Sequence, residues 1–338
     1  MRYVRTLIVT TLLSVVSNSV FAWGHTGHEV VGAIADKLLT ANAANKVQEI
    51  AGISLQSAAK WADCVKDVAP KDGVFKYTQN PKYEAPCREF ETSEGIARME
   101  EYVARNSDGC GRSSATELCH KQYHYADVAI QHDRYDRSYA GTSDHDIVSG
   151  IKAAIAILQG KPAPAPFSIR DKREALLMLA HFVGDIYQPL HVGAVYLDSF
   201  GDPINPDLQD GNLDPKTETR GGNSIGDGST NLHAEWDAIP RSIKPTKISA
   251  KMLEEARSID NTPGDASLWP AAWASDTLLV AHRAFSGVTY REDLTKPKHW
   301  TAEFKDRKAY LKAKNRIQRE QLAKAGARLA QVLNTIWP

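Results

Sequence analysis

The chain has 338 residues, 42% hydrophobic and 24% charged, with 41 basic against 41 acidic side chains. These are ordinary values for a folded globular protein, and they exclude a low-complexity or disordered chain. The balanced charge also excludes a broad polybasic surface, so attraction to a polyanion has to come from a local site.

Residues 1–22 read as a secretory signal. Arg2 and Arg5 form its charged start, Leu7 to Val16 its apolar stretch, and Val20 and Ala22 flank a small-residue cleavage site. Removal leaves 316 residues (338 − 22) with 39 basic (41 − 2) against 41 acidic side chains, a net charge of −2. Residues 23–338 are expected to form one domain. No later segment approaches the roughly 18–20 apolar residues of a membrane span, and no cysteine at the cut offers a lipid anchor. The expected product is therefore exported, periplasmic or extracellular, and monomeric. Cutting after Ala22 frees the α-amine of Trp23, which Gly24-His25-Thr26-Gly27-His28 follow at once. That amine, the Trp23 carbonyl and the His28 imidazole make a compact chelate that forms only after the cut.

Helical periodicity dominates the rest of the chain. Glu29 to Leu39 repeats Val30, Val31, Ile34 and Leu38 on one face. Ser143 and Asp144 offer N-caps to a helix running to Gln159, which Gly160 and Pro162 stop. Residues 168–188 form another helix, ended by Pro189, and 265–286 and 301–336 two more long ones. Few stretches alternate as strands do, so the predicted class is all-α. Two irregular regions interrupt it. Residues 66–91 carry Pro70, Gly73, Pro81 and Pro86, and residues 193–230 gather Asp198, Asp202, Asp207, Asp210 and Asp214 without the calcium-loop spacing. Cys64, Cys87, Cys110 and Cys119 predict two disulfides, with Cys64–Cys87 and Cys110–Cys119 giving the shortest loops. A cysteine zinc site is the alternative, though no C-x-x-C pair exists.

Two helical segments carry His-x-x-x-Asp, His181 with Asp185 and His233 with Asp237. At this spacing both side chains leave one helix face and can converge on a cation. His181 and Asp185 interrupt an apolar run, where an unpaired carboxylate is costly. His191 comes one turn later, with Asp63 and His124 upstream. Nitrogen and carboxylate donors without thiolates suit zinc, and the donor count suits three ions. The first is expected on Asp63, His124, His181 and Asp185. The second shares Asp185 with Trp23 and His28, and the third sits on His191, His233 and Asp237 with open positions. Three dications against three carboxylates leave a local charge of about +3, enough to hold a phosphate.

These residues stand in ordered motifs: Trp23-Gly24 and Gly27-His28; Trp61-Ala62-Asp63; His124-Tyr125 and Asp127; His181-Phe182, Gly184-Asp185 and Gln188-Pro189-Leu190-His191; Gly221-Gly222-Asn223; and Asn231-Leu232-His233 with Trp236-Asp237. Together they closely resemble the trinuclear-zinc single-strand nucleases of the nuclease S-one/P-one type, over roughly two thirds of the mature chain. The resemblance implies an α-helical fold with three Zn2+ ions, a bridging aspartate and a terminal tryptophan ligand. It implies hydrolysis of the P–O3′ bond in single-stranded DNA and RNA to 5′-phosphorylated products, and activity on 3′-nucleotides. Two departures, a long cysteine-containing stretch between Asp63 and His124 and an extended loop before Gly221, bear on substrate preference. Asp63 is expected to orient the attacking water, and Lys66, one turn later, to contact phosphate. By the same resemblance Tyr125 stacks on an unpaired base, and Asp127, Asn223 and the Gly221 backbone read its polar edge. His25, His120, His132, His145, His282 and His299 are expected at the surface or as caps, and Trp61 and Trp236 as packing beside ligands. A zinc phospholipase C is the nearest rival, disfavoured by Asp237 where that class uses glutamate and by the Tyr125-x-Asp127 pocket. A zinc-storage protein is disfavoured by the open third site and Lys66.

Overall fold

Side-chain caps start many of the helices, among them those beginning at Ala41, Ser93, Ile147, Lys172 and Arg307. The computed structural model describes residues 23–81, 84–108, 110, 117–209, 217–296 and 299–338; the signal at 1–22, and Asp210 and Asp214, lie outside them. Helix α1 (Gly24–Asp36) leads into α2 (Ala41–Ala51), where Thr40 Oγ1 accepts from the Ala43 amide at 3.2 Å. The short α3 (Leu55–Ala58), α4 (Trp61–Val65) and α5 (Glu84–Cys87) precede α6 (Ser93–Arg105) and α7 (Cys119–Gln122). Next come α8 (Ile147–Leu158) and α9 (Lys172–Asp185), then α10 (Leu232–Asp237), α11 (Ala250–Arg257), α12 (Trp269–Phe285) and α13 (Arg307–Ile336). The α8 cap is Asp146, which accepts from the Ser149 amide at 3.0 Å, so neither Ser143 nor Asp144 starts that helix. Asp171 caps α9, so the helix expected over 168–188 spans only Lys172–Asp185.

Past its charged first turn helix α9 is apolar except for His181 and Asp185, and every residue from Glu174 to Asp185 is buried, which marks a core helix rather than a surface one. Helices α8 and α13 pack along it, and α1, α2, α3 and α4 also touch it. The large core joins Val30, Ile34, Leu55, Ile151, Leu179 and Leu329 among many others. Two glycines permit close helix contact. A Cβ on Gly32 would meet Leu55 O at 2.3 Å, and one on Gly326 of α13 would meet Ile34 Cγ2 at 2.5 Å.

Short strands complete a single, mostly helical domain. The hairpin β1 (Val68–Lys71) and β2 (Val74–Tyr77) lies within the stretch read as irregular. Strand β3 (Val128–Ala129) pairs in parallel with β4 (Gly193–Ala194), and β5 (Tyr196–Leu197) pairs antiparallel with β6 (Pro203–Ile204). A four-stranded sheet has the order β8 (Thr230–Asn231), β7 (Ile225–Asp227), β10 (Trp300–Phe304) and β9 (Val288–Glu292). The predicted helix at 301–336 therefore starts only at Arg307. Trp300, Ala302 and Phe304 alternate as strand residues opposite β9, and Asp306 caps α13.

Cys64–Cys87 and Cys110–Cys119 are disulfide-bonded, with Cα separations of 5.6 and 5.3 Å. Asp198 Oδ1 accepts from the Phe200 and Asp202 amides and Asp207 pairs with His132, so these aspartates hold turns and contacts of their own loop. Among the described residues no helix is long and apolar enough to cross a membrane. Since Ile34 cannot retreat from the packed α1–α13 contact, Gly326→Leu is expected to cost about 1–3 kcal/mol. Urea denaturation checks this, the midpoint falling while the slope stays unchanged.

Candidate metal centre

Three pieces of backbone bring the polar residues together. Helix α9 presents His181 and Asp185 from one face. The β3–β4 pairing, with the Ala126 amide on His191 O at 2.8 Å, sets the His124–Asp127 segment beside His191. The turn at 219–223 positions α10 and its His233 and Asp237. Arg220, Gly221 and Gly222 all have positive φ (54°, 56° and 85°). Glycine is needed at 221, where a Cβ would stand 2.2 Å from Leu190 O.

Three buried groups of possible ligands result: His28, His181 and Asp185; Asp63, His124 and His181; and His191, His233 and Asp237. In each, the donor atoms lie within 4.8 Å of one another. Asp185 sits at the centre. Its Oδ2 is 2.8 Å from His124 Nδ1 and 3.1 Å from His181 Nε2, and its Oδ1 is 3.1 Å from His28 Nε2. The His28 and His181 rings stack at 3.7 Å. Trp23 caps α1 with φ 30°, its indole Nε1 donating to Gly184 O at 2.8 Å, one residue before Asp185. Its carbonyl accepts the Gly27 amide at 3.0 Å.

The donor set fits cations. His191 Nδ1 donates to His124 O at 2.7 Å, and His233 Nδ1 to Gly221 O at 2.8 Å. Each neutral ring therefore leaves Nε2 as a lone pair, and the two Nε2 atoms face each other at 3.0 Å. Likewise His181 Nδ1 donates to Ala59 O at 2.6 Å and aims Nε2 at His124, Asp63 and Asp185. Asp63 Oδ2 and His28 Nδ1 are buried without a hydrogen-bond partner, and the 3.1 Å approach of His28 Nε2 to Asp185 Oδ1 is not directed as a hydrogen bond. Unmet acceptors at this density are what metal coordination resolves.

Electrostatics point the same way. Burial pushes His124 down to about 3 and His191 to about 4, and lowers His28 and His233, so these imidazoles stay neutral and ready to coordinate. In His181 burial is outweighed by Asp185 and Asp63, which raise its pKa. Burial opposes the charge of Asp185, yet His181, His191 and His28 hold its carboxyl well below the usual range. Asp237 is pushed well above its ordinary value by burial, against a hydrogen bond from Gln188 Nε2 at 2.8 Å. It ionises readily only beside a cation.

The remaining predicted residues surround this core. Lys66 Nζ pairs with Asp63 Oδ1 at 2.8 Å. Burial opposes the ammonium, but Asp63 and Asp185 raise its pKa, so it stays charged. Tyr125 is half-buried, its hydroxyl donating to Glu117 Oε2 at 2.9 Å. Asp127 is buried, and its Oδ1 stands 3.3 Å from where a Cβ on Gly221 would be. Asn223 donates through Nδ2 to Arg220 O at 2.8 Å while its Oδ1 has no hydrogen-bond partner. Trp61 and Trp236 are buried, the latter bonded to the Tyr310 hydroxyl. Three histidines expected at the surface are not there: His25, His120 and His145 are buried at 7%, 1% and 3% exposure. His25 adjoins Cys64 and Cys87, but those sulfurs are bonded to each other and offer no thiolates. Gln188 and Glu117, which orient Asp237 and Tyr125, were missed by sequence reasoning; Gln188 stood in plain view within Gln-Pro-Leu-His.

These shifts set the sign of the pH dependence. Between pH 6.5 and about 4 the unfolded chain protonates histidines that the folded, metal-free protein keeps neutral, so stability falls as pH falls. Only His181 of the ligand imidazoles titrates the other way. Thermal melting of chelator-treated protein is expected to show a steadily falling midpoint across that window, with zinc restoring it at the neutral end.

The S1/P1 nuclease family model matches residues 23–105 and 103–338. Endonuclease 2 of Arabidopsis thaliana is 25% identical over 353 residues, spanning 98% of this chain and 96% of that protein. Endonuclease 4 of the same plant is 29% identical over 189 residues, 48% of this chain and 50% of its own length. Nuclease S1 of Aspergillus oryzae is 25% identical over 266 residues, 74% of this chain and 68% of its own.

Proposed function

The chain belongs to the S1/P1 nuclease family, and on that premise we propose that it is a secreted zinc-dependent phosphodiesterase. Its substrates are single-stranded DNA and RNA, cut at the P–O3′ bond to leave 5′-phosphates, and 3′-nucleotides. The observation that carries this reading is the facing pair of Nε2 lone pairs on His191 and His233, 3.0 Å apart beside Asp237. Nothing but a cation relieves that arrangement once both Nδ1 protons are committed to carbonyls.

Asp63, His124, His181 and Asp185 would hold one zinc ion. Asp185, His28 and the amine and carbonyl of Trp23 would hold a second, and His191, His233 and Asp237 a third. When bound, the ions lower the pKa of water and stabilise negative charge on phosphate oxygens. The side chains do the rest. Asp63 accepts a hydrogen bond from the attacking water and sets its approach in line with the leaving 3′-oxygen. The Lys66 ammonium, kept charged by Asp63 and Asp185, reaches a phosphate oxygen and counters the charge that grows there. Tyr125 offers its ring to an unpaired base, a contact worth about 1–3 kcal/mol. Asp127 accepts from the amino or imino group of that base, and Asn223 Oδ1 and the Gly221 backbone add further polar contacts. Stacking of this kind requires an unstacked base, which selects single strands.

The test uses protein beginning at Trp23, assayed on single-stranded oligonucleotide and on phosphatidylcholine, with chelator and then with zinc restored. Zinc-dependent release of 5′-phosphorylated nucleotides is expected, with the lipid untouched; lipid cleavage beside intact oligonucleotide would replace this reading with a phospholipase. Lys66→Ala is expected to lower kcat/KM roughly a hundredfold with zinc content unchanged. Unaltered kinetics would remove Lys66 from the reaction.

A further inference from the structure

Beside the metal centre lies a cavity of about 380 Å³ whose walls include Trp23, Asp237, Ile239, Pro240, Arg241 and Lys244. That volume is in the range of small-molecule sites. Two of its residues, Trp23 and Asp237, also belong to the proposed ligand set, so the cavity begins where the metal centre ends. Its floor is apolar and its rim is basic.

The rim is preformed. The chain leaves α10 at Ala238, whose carbonyl accepts from Gln318 Nε2 at 3.1 Å and from Lys314 Nζ at 3.2 Å, both on α13. The next turn is closed by the Ile243 amide on Pro240 O at 2.9 Å, which carries Arg241 at its tip. Ile239 is held against the first turn of α1, its Cγ2 3.4 Å from where a Cβ on Gly27 would stand. Nearby cations are neutralised: Lys66 by Asp63, Arg307 by Asp227 and Lys314 by Glu235. Arg241 and Lys244 are exposed, and neither forms an ion pair with a described residue.

We propose that this cavity is a nucleotide subsite for the residue adjoining the scissile phosphate of a single-stranded nucleic acid. Arg241 and Lys244 take its phosphate, and its base lies on the apolar wall of Ile239, Pro240 and Ile243. Two exposed cations beside an apolar wall complement an anionic backbone carrying flat bases. The inference rests on the nuclease reading above. It assigns Arg241 and Lys244 to binding of the strand and gives them no part in bond cleavage.

The first measurement is binding of a fluorescent phosphorothioate-linked single strand, which resists hydrolysis, to protein beginning at Trp23 over a series of salt concentrations. Each phosphate contact to a single strand contributes about 0.7 to the slope of log affinity against log salt. The Arg241→Ala/Lys244→Ala double variant is expected to bind about tenfold more weakly at low salt, with the slope reduced by at least one such contact. The second measurement compares kcat/KM on an oligonucleotide with that on bis(p-nitrophenyl) phosphate, which has no second phosphate for Arg241 and Lys244 to take. The ratio of the two is expected to fall about tenfold in the variant. An unchanged salt slope overturns the subsite, and so does an equal fall on both substrates. Absence of cleavage of either substrate by the parent protein would instead defeat the nuclease reading, while the salt slope would still report on the cavity.

Discussion

Asp185 has no exposure to solvent, and a carboxylate in that position has to be answered by positive charge or by hydrogen-bond donors. The architecture around it is arranged to supply that answer from several directions at once. Helix α9 carries Asp185 itself, α1 brings His28, the segment after α7 brings His124, and α4 brings Asp63 with Lys66. These elements pack on α9 through ordinary apolar contacts, yet their registers are fixed by the need to place nitrogen atoms within about 3 Å of one carboxylate. The core and the polar centre are thus one construction. Helix α9 is buried from Glu174 onward, which encloses the His181 and Asp185 side chains it carries.

The second carboxylate environment differs in kind. Asp237 lies at the edge of the cluster, with one oxygen held by Gln188 and the other 3.8 Å from His233 Nε2. Among the described residues no Lys or Arg forms an ion pair with it as Lys66 does with Asp63. The interior of the centre is closed by protein groups, whereas its edge at Asp237 gives onto the basic-rimmed cavity. On the proposed reading, a cluster enclosed by protein on one side and opening to a cavity on the other would suit a site that both retains its ions and receives a phosphate.

Much of this was legible in the sequence because the informative residues obey local rules. The pairs His181/Asp185 and His233/Asp237 announce themselves by helical spacing, and the apolar run around the first pair makes a surface explanation costly. The overall helical class follows from periodicity, and loop length alone favoured the observed disulfides. The failures come where tertiary contacts decide. Residues 301–304 were absorbed into a helix because a long Lys- and Ala-rich stretch comes after them, while their strand character depends on pairing with β9 and β7. Asp146 took the α8 cap from Ser143 and Asp144, a choice set by which residue the preceding loop turns inward. His25, His120 and His145 looked like isolated polar residues, and only packing against α4, Tyr102 and Gln122 puts them inside.

The disulfide between Cys64 and Cys87 begins one residue after Asp63 and two before Lys66. It therefore anchors to α5 the very turn that carries a proposed ligand and its neighbouring cation. In a reducing compartment that anchor would be missing. On the proposed reading, in which residues 1–22 are removed and the Trp23 amine becomes a ligand, thiol oxidation and peptide-bond cleavage would both have to precede a finished centre, because an amide nitrogen has no lone pair to give. The activity proposed for this chain would then be silent toward the nucleic acids of the cell that makes it until both reactions had taken place.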